Sequence, residues 1–410
     1  MTPVPTCIHA APWVVPVCSP IIAEGGVAVG DGRIVAVDVL PRLQQLYPQA
    51  EVRMYPGSIL TPALVNGHTH LELSHLAALT ATAMTDRFTD WISRLLQLRE
   101  ILGADGEPAW QAARLVADRQ YQSGVSALCD IGNTSMGGRL ADLFPGYLLA
   151  CKEYLGLAAW TLEKNLTRLG LEPPQVRCCG HAPYSTHPRL LQRLKERARA
   201  LEHVFSIHTA EPAAEADMIR EGRGELVDFI RQRGFWDNSF VSGQSDGSIH
   251  YLYDLGLLDE QTLCVHAIHV TEEEMRIMAG EGSKVCLCSG SNRFLGVGTA
   301  PVARYLDHGI LPALGTDSLA SNPELSLWRE MSILAEDHPE IEAAEIFAMA
   351  TLGGAEALGL GRVLGTLEAG KAADLLIVPS PPSPVDPKGI MTHLVTAGPA
   401  MSPDRIAFRG

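Results

Sequence analysis

The chain has 410 residues, a formal net charge of −15 and 46% hydrophobic residues. That length suits one large domain of roughly 250–300 residues plus a smaller one, with apolar content for a substantial core. The acidic balance argues against a nucleic-acid backbone as partner, because phosphate contacts need clustered Lys and Arg, and otherwise says little beyond solubility.

Met1 to Pro20 is apolar in places but is interrupted by Pro3, Pro5, Pro12, Pro16 and Pro20, and it carries no basic leader. It is expected to be neither a signal peptide nor a membrane span. Of the nine cysteines, Cys129, Cys151, Cys178, Cys179, Cys264, Cys286 and Cys288 lie in apolar runs. They read as buried thiols of a cytoplasmic protein, not as a disulfide framework. Cys286 and Cys288 are two apart, but without a CxxC pair they read as strand packing. Gly25–Asp38 alternates apolar and small residues around Gly30-Asp31-Gly32, a turn between two short strands.

The apolar stretch Ile59 to Val65 leads into Asn66-Gly67-His68-Thr69-His70-Leu71-Glu72. Residues two apart on a strand share a side, so His68 and His70 are expected to project together from one strand end, as half of a metal site. Eight strand-like runs follow a rhythm: Ile59–His70, Val125–Asn133, Tyr147–Gly156, Val176–Tyr184, His203–Glu211, Thr262–Val270, Lys284–Asn292 and Leu311–Ser318. Between them Ala109–Ser123, Pro188–Leu201, Glu225–Arg233, Glu272–Glu281 and Pro301–Asp307 have helical spacing. Strand alternating with helix eight times predicts an α/β fold, a (β/α)₈ TIM-type barrel over 59–363. Its chemistry should lie at the C-terminal strand ends. His68, His70, His181, His208, Glu211, His266, His269 and Asp317 are all expected there.

Gly365–Pro379 reads as two turns and a strand, and Val385–Gly410 would continue it, with boundaries blurred by Pro384, Pro387, Pro399 and Pro403. A small β-sandwich domain built from both chain ends, 1–58 and 364–410, is the expectation.

These motifs together, Asn-Gly-His68-Thr-His70, His208-Thr-Ala-Glu211, Val-His266-Ala, Gly-Thr-Asp317-Ser and the closing Gly-Thr-Leu-Glu-Ala-Gly-Lys-Ala-Ala-Asp-Leu, resemble the amidohydrolase superfamily over nearly the whole chain. Within it the chain is similar to the branch of chlorohydrolases and aminopurine deaminases. The resemblance implies one divalent metal, Zn²⁺ or Fe²⁺, on His68, His70, His208 and Asp317. It also implies a proton shuttle in Glu211 and a supporting role for His266 beside the attacking hydroxide, with Asp317 taking the second proton. The loops around Glu72, Glu153 and Ser291-Asn292 resemble aminodeoxyfutalosine deaminases of menaquinone biosynthesis, and His181 matches a position that contacts the purine or its sugar. Those five residues are the expected substrate wall, to which Arg87 or Arg94 could add a carboxylate contact.

The implied reaction is hydrolytic deamination of an aminopurine nucleoside-like compound, best 6-amino-6-deoxyfutalosine, by a cytoplasmic enzyme that is possibly a homodimer. A methylthioadenosine/adenosylhomocysteine deaminase and a chlorohydrolase are the alternatives. A binuclear amide or carbamate hydrolase is a further one, needing a carboxylated lysine for which Lys152 is the candidate.

Overall fold

The computed structural model describes residues 5–81, 87–237, 239–240, 242–382 and 386–407. Pro3, Pro384 and both ends of the stretch Val385–Gly410 lie outside them. In chain order the strands are β1 (Cys7–Val14), β2 (Ile22–Gly30), β3 (Arg33–Val39), β4 (Glu51–Met54), β5 (Ser58–Pro62), β6 (Leu64–Thr69), β7 (Val125–Gly132), β8 (Tyr147–Tyr154), β9 (Arg177–Gly180), β10 (Phe205–Thr209), β11 (Thr262–His266), β12 (Lys284–Leu287), β13 (Ala313–Leu314), β14 (Asp374–Pro379) and β15 (Asp404–Ala407). The chain divides into two compact units, one of residues 1–66, 118–127 and 326–410, the other of 67–117 and 128–325.

The first unit contains a seven-stranded sheet in the order β15-β14-β5-β1-β2-β3, with β4 also beside β1. The β2 to β3 hairpin forms as its glycine-rich turn predicts, with Gly30 opposite Arg33. Its period of two is visible in β2, where Val27 and Val29 join Val14, Leu60 and Leu375 in one apolar cluster. Ala28 between them packs with Ile8 and Leu43 on the other face. The run Ile59–His70, expected as one strand, is two. Ser58–Pro62 pairs antiparallel with β14, and a separate strand begins at Leu64. The bonding to β14 runs one residue past Pro62, where Ala63 N donates to Asp374 O at 3.3 Å, before the chain passes into β6.

Strands β6 to β13 form two four-stranded sheets, β6-β7-β8-β9 and β10-β11-β12-β13. The pairs β8/β9, β10/β11, β11/β12 and β12/β13 are parallel. Backbone bonds join the sheets at both edges: His208 N donates to His181 O at 2.9 Å, and Thr316 N and Asp317 N donate to His68 O at 2.9 and 3.1 Å. Eight strands thereby follow one another around a (β/α)₈ barrel. Helices return the chain between strands, among them Ala159–Gly170, Pro188–Ala200 and Glu272–Glu281. In Pro188–Ala200 the buried Leu190, Leu191, Leu194 and Ala198 make the apolar stripe that packs it inward. Thr271 and Glu274 form a capping box that starts Glu272–Glu281 where the sequence placed it.

Packing explains two glycines of the motifs. A Cβ on Gly67 would stand 2.9 Å from Cys286 Sγ, and one on Gly315 would stand 2.8 Å from the same sulfur and 2.9 Å from His68 Cβ. Only glycine lets the strands meet this closely at the histidine layer. Cys286 and Cys288 are buried and in no disulfide, as are the other five cysteines of the apolar runs. Among the described residues no helix is long and apolar enough to cross a membrane.

Candidate active site

His68 lies within β6 and His70 directly after it, so the strand's alternation aims both rings to one side. His208 is the fourth residue of β10. The three rings converge: His68 Nε2 is 3.1 Å from His70 Nε2, which is 3.2 Å from His208 Nε2. Asp317, immediately past the β13 edge, brings Oδ1 to 3.5 Å from His70 Nε2 and 3.8 Å from His68 Nε2. All four residues are buried.

The donor set fits a divalent ion. His70 Nδ1 lies 2.9 Å from the carbonyl of Ile131, and His208 Nδ1 lies 2.8 Å from that of His181. A carbonyl only accepts, so each Nδ1 carries the proton and each Nε2 of a neutral ring presents a bare lone pair. Burial first, and then the neighbouring histidines, lower His208 to about 3 and His68 well below its ordinary value. Neutral imidazoles with lone pairs facing one another repel unless a cation lies between them. Two nitrogens each about 2.1 Å from one ion, at an angle of about 100°, would stand about 3.2 Å apart. Three imidazoles and a carboxylate suit Zn²⁺ or Fe²⁺. Glu153, His181 and His208 also lie close enough for a metal. There, however, His208 Nδ1 serves the His181 carbonyl and His181 Nδ1 pairs with Ser185 Oγ at 2.5 Å.

Two carboxyl groups beside the cluster are biased in opposite directions. Burial and then the Asp317 charge push Glu211 well above the usual carboxylate range. Asp317 meets the same burial, but His70, His266, the Ser291 hydroxyl and His208 outweigh it and hold its pKa below the ordinary value. Ser291 Oγ and Ser321 Oγ donate to Asp317 Oδ2 at 2.6 and 2.8 Å. His266 Nδ1 donates to Asn292 Oδ1 at 2.8 Å, which leaves Nε2 3.6 Å from Glu211 Oε1. Ser291 and Asn292, expected against the substrate, therefore act on Asp317 and His266.

The cluster floors a cavity of about 550 Å³ lined in part by Glu72, Glu153, His181, Arg99, Trp160 and Phe235. Glu72 is fully engaged. Arg99 Nη2 lies 2.7 Å from its Oε1, and the amide and hydroxyl of Thr134 donate to its Oε2 at 2.9 and 2.7 Å. Asn133 links this group to Glu153, accepting from Arg99 Nη1 at 3.1 Å and donating to Glu153 Oε2 at 2.8 Å. The arginine that reaches the cavity is thus Arg99. Arg87 instead pairs with Asp90 on the surface, and Arg94 is exposed. Arg99, Asn133, Thr134 and Ser321 escaped the sequence reading; only the one-turn spacing along Phe88–Leu102 could have suggested Arg99. His269 is exposed and bonded to Val297 O at 2.8 Å, away from the cluster. Lys152 pairs with Glu172 on the opposite strand face from Glu153.

Residues 59–410 match the Amidohydrolase family. The chain belongs to that family. It is 29% identical to a 5-methylthioadenosine/S-adenosylhomocysteine deaminase of Moorella thermoacetica, over 97% of this chain and 91% of the relative. It is 27% identical to an aminodeoxyfutalosine deaminase of Nitratiruptor, over 92% of each. Among solved structures, the Helicobacter pylori aminofutalosine deaminase in complex with methylthio-coformycin superposes with a TM-score of 0.80 at 25% identity, covering 94% of this chain and 95% of that one.

Proposed function

We propose that this amidohydrolase is a metal-dependent hydrolytic deaminase of adenosine-like substrates. The observation that carries the reading is the convergence of three imidazole Nε2 atoms and Asp317 Oδ1, with Glu211 and His266 beside them, under a nucleoside-sized cavity. His68, His70, His208 and Asp317 would hold the ion. When bound, such an ion lowers the pKa of a water toward ~7 and makes it a nucleophile at neutral pH.

The residues then divide the proton work. Glu211 gives a proton to the ring nitrogen beside the carbon that carries the amine. That neutralises the charge which addition develops in the ring. Asp317 takes a proton from the nucleophile at its Oδ1 side, since Oδ2 is occupied by two serine hydroxyls. His266, fixed by Asn292, offers Nε2 beside Glu211 and steadies the attacking oxygen. The proton that Asp317 has taken passes to the amine, which leaves as ammonia, and the next water to bind returns a proton to Glu211.

Against the substrate we place His181 and Glu153. Glu153 Oε1 accepts no hydrogen bond among the described residues, so it suits sugar hydroxyls, whereas Glu72 serves through Arg99. The best single substrate is 6-amino-6-deoxyfutalosine, a menaquinone precursor, supported by the relatives named for it. Methylthioadenosine and adenosylhomocysteine are supported by a relative at 29% identity, against 27% for the aminodeoxyfutalosine deaminase. We take the enzyme to act in the cytoplasm on this small molecule, as a homodimer. The binuclear amide or carbamate reading loses its lysine, because Lys152 is committed to Glu172. A panel of the three nucleosides, adenosine and a chloro-triazine, assayed for ammonia and chloride, tests the reading. Ammonia with an adenine-to-hypoxanthine absorbance change supports it; chloride or no product opposes it.

A further inference from the structure

The chain leaves β10 through a strained turn. Ala210, between the ladder residue Thr209 and Glu211, has a φ of 52°, in the left-handed region that is strained for a residue with a Cβ. Its carbonyl accepts from Ile268 N and His269 N, both at 3.0 Å, and Ala267 N donates to Thr209 O at 3.0 Å. His266 and Ala267 have φ of 69° and 45°. Two neighbouring strand ends thus turn the same way and lock to each other, one carrying Glu211 and the other His266.

Ala210 N–H has one partner in this arrangement, Glu215 Oε1 at 3.0 Å. Glu215 is wholly buried and sits in the first turn of the helix Ala213–Glu221. A buried carboxyl in place of an apolar side chain is costly unless its bonds are used. Burial raises its pKa to about 7, while the amides of Ala210 and Glu211 and the Ser248 hydroxyl pull the other way.

We propose that Glu215 is a positioning residue: by holding the Ala210 amide it keeps the turn 209–211 in its left-handed form and so fixes Glu211 against His266. The proposal rests on the reading of Glu211 as the proton donor. Geometry of this kind is worth much to a proton transfer, since a misplacement of about 1 Å costs on the order of 100-fold in rate.

The test uses the metal-loaded full chain with Glu215→Leu, Glu215→Gln and the double variant Ala210→Gly with Glu215→Leu. Glu215→Leu is expected to keep its metal and its KM within about threefold while kcat falls roughly 100-fold. Glu215→Gln keeps an acceptor oxygen and should lose less than about tenfold. Ala210→Gly adopts the left-handed form without strain, so adding it to Glu215→Leu should restore about tenfold or more in kcat. Amide exchange at residue 210, slow in the wild type and in Glu215→Gln and fast in Glu215→Leu, is read independently of activity and serves even where one variant folds poorly. Equal losses in the Gln and Leu variants, no rescue by glycine, loss of metal, or fast exchange at 210 in the wild type would each overturn the proposal. Absence of deamination in the wild type with slow exchange at 210 would instead overturn the functional reading and with it the assigned purpose of the turn.

Discussion

Loading the three-histidine cluster with Zn²⁺ or Fe²⁺ is expected to raise the thermal midpoint by about 5–8 °C. An ion present at about 1,000 times its Kd stabilises the state that binds it by about 4 kcal/mol. Unfolding entropy is about 2.1 cal/mol/K per residue, so the roughly 250 residues of the unit that holds the site give about 0.5 kcal/mol/K. All 410 residues unfolding together give about 0.9 kcal/mol/K. Dividing the first figure by these gives about 8 °C if that unit melts alone and about 5 °C if the whole chain melts as one. Scanning calorimetry of chelator-stripped and reloaded protein measures the difference. His70→Ala removes the ring that stands 3.1 and 3.2 Å from the other two and should abolish the shift. An undiminished shift in His70→Ala, or none in the native chain, would refute the assignment of these nitrogens as ligands.

Glu211→Gln should keep one ion per chain while turnover falls about 10²–10⁴-fold, and a variant that loses its ion would speak for Glu211 as a ligand. Ser291→Ala and Ser321→Ala each remove one donor from Asp317 Oδ2. Each is expected to weaken metal affinity about tenfold in a chelator competition, and unchanged affinity would show that Asp317 needs neither. Glu215 is raised from 4.5 to about 7 by burial. Between those values the folded chain holds a proton that the unfolded chain has lost, so this group makes stability fall as pH rises through that window and level off above about 7. The contribution is at most about 3 kcal/mol. Glu215→Gln should flatten that part of a urea-midpoint profile against pH; an unaltered profile would mean that Glu215 titrates normally.

The convergence of the candidate site was legible because side chains that face a barrel's mouth sit at strand ends, and strand ends are marked by where apolar runs give way to polar residues. His68, His70, His208 and Asp317 were placed that way, as were Glu211 and His266. The run Ile59–His70 misled because two strands of different sheets abut with only Ala63 between them, and the apolar pattern continues across the join. Arg99, Asn133 and Thr134 were invisible because their role is to neutralise and orient carboxylates distant in sequence, which no local spacing records. The carbonyls of Ile131 and His181, which set the histidine tautomers, belong to the backbone and leave no trace in residue type. Nothing in the sequence singles out Glu215, since the left-handed turn at Ala210 whose amide it accepts from exists only in three dimensions.

The most direct test is a titration of chelator-stripped protein with Zn²⁺, and separately with Fe²⁺, while ammonia release from the best adenosine-like substrate is recorded. The account predicts no release without metal, a linear rise with added ion, and a break at about one ion per chain, with hypoxanthine-type product formed in equal amount to ammonia. A break at about two ions, release that is indifferent to metal, or no release from any adenosine-like compound at full loading would contradict it.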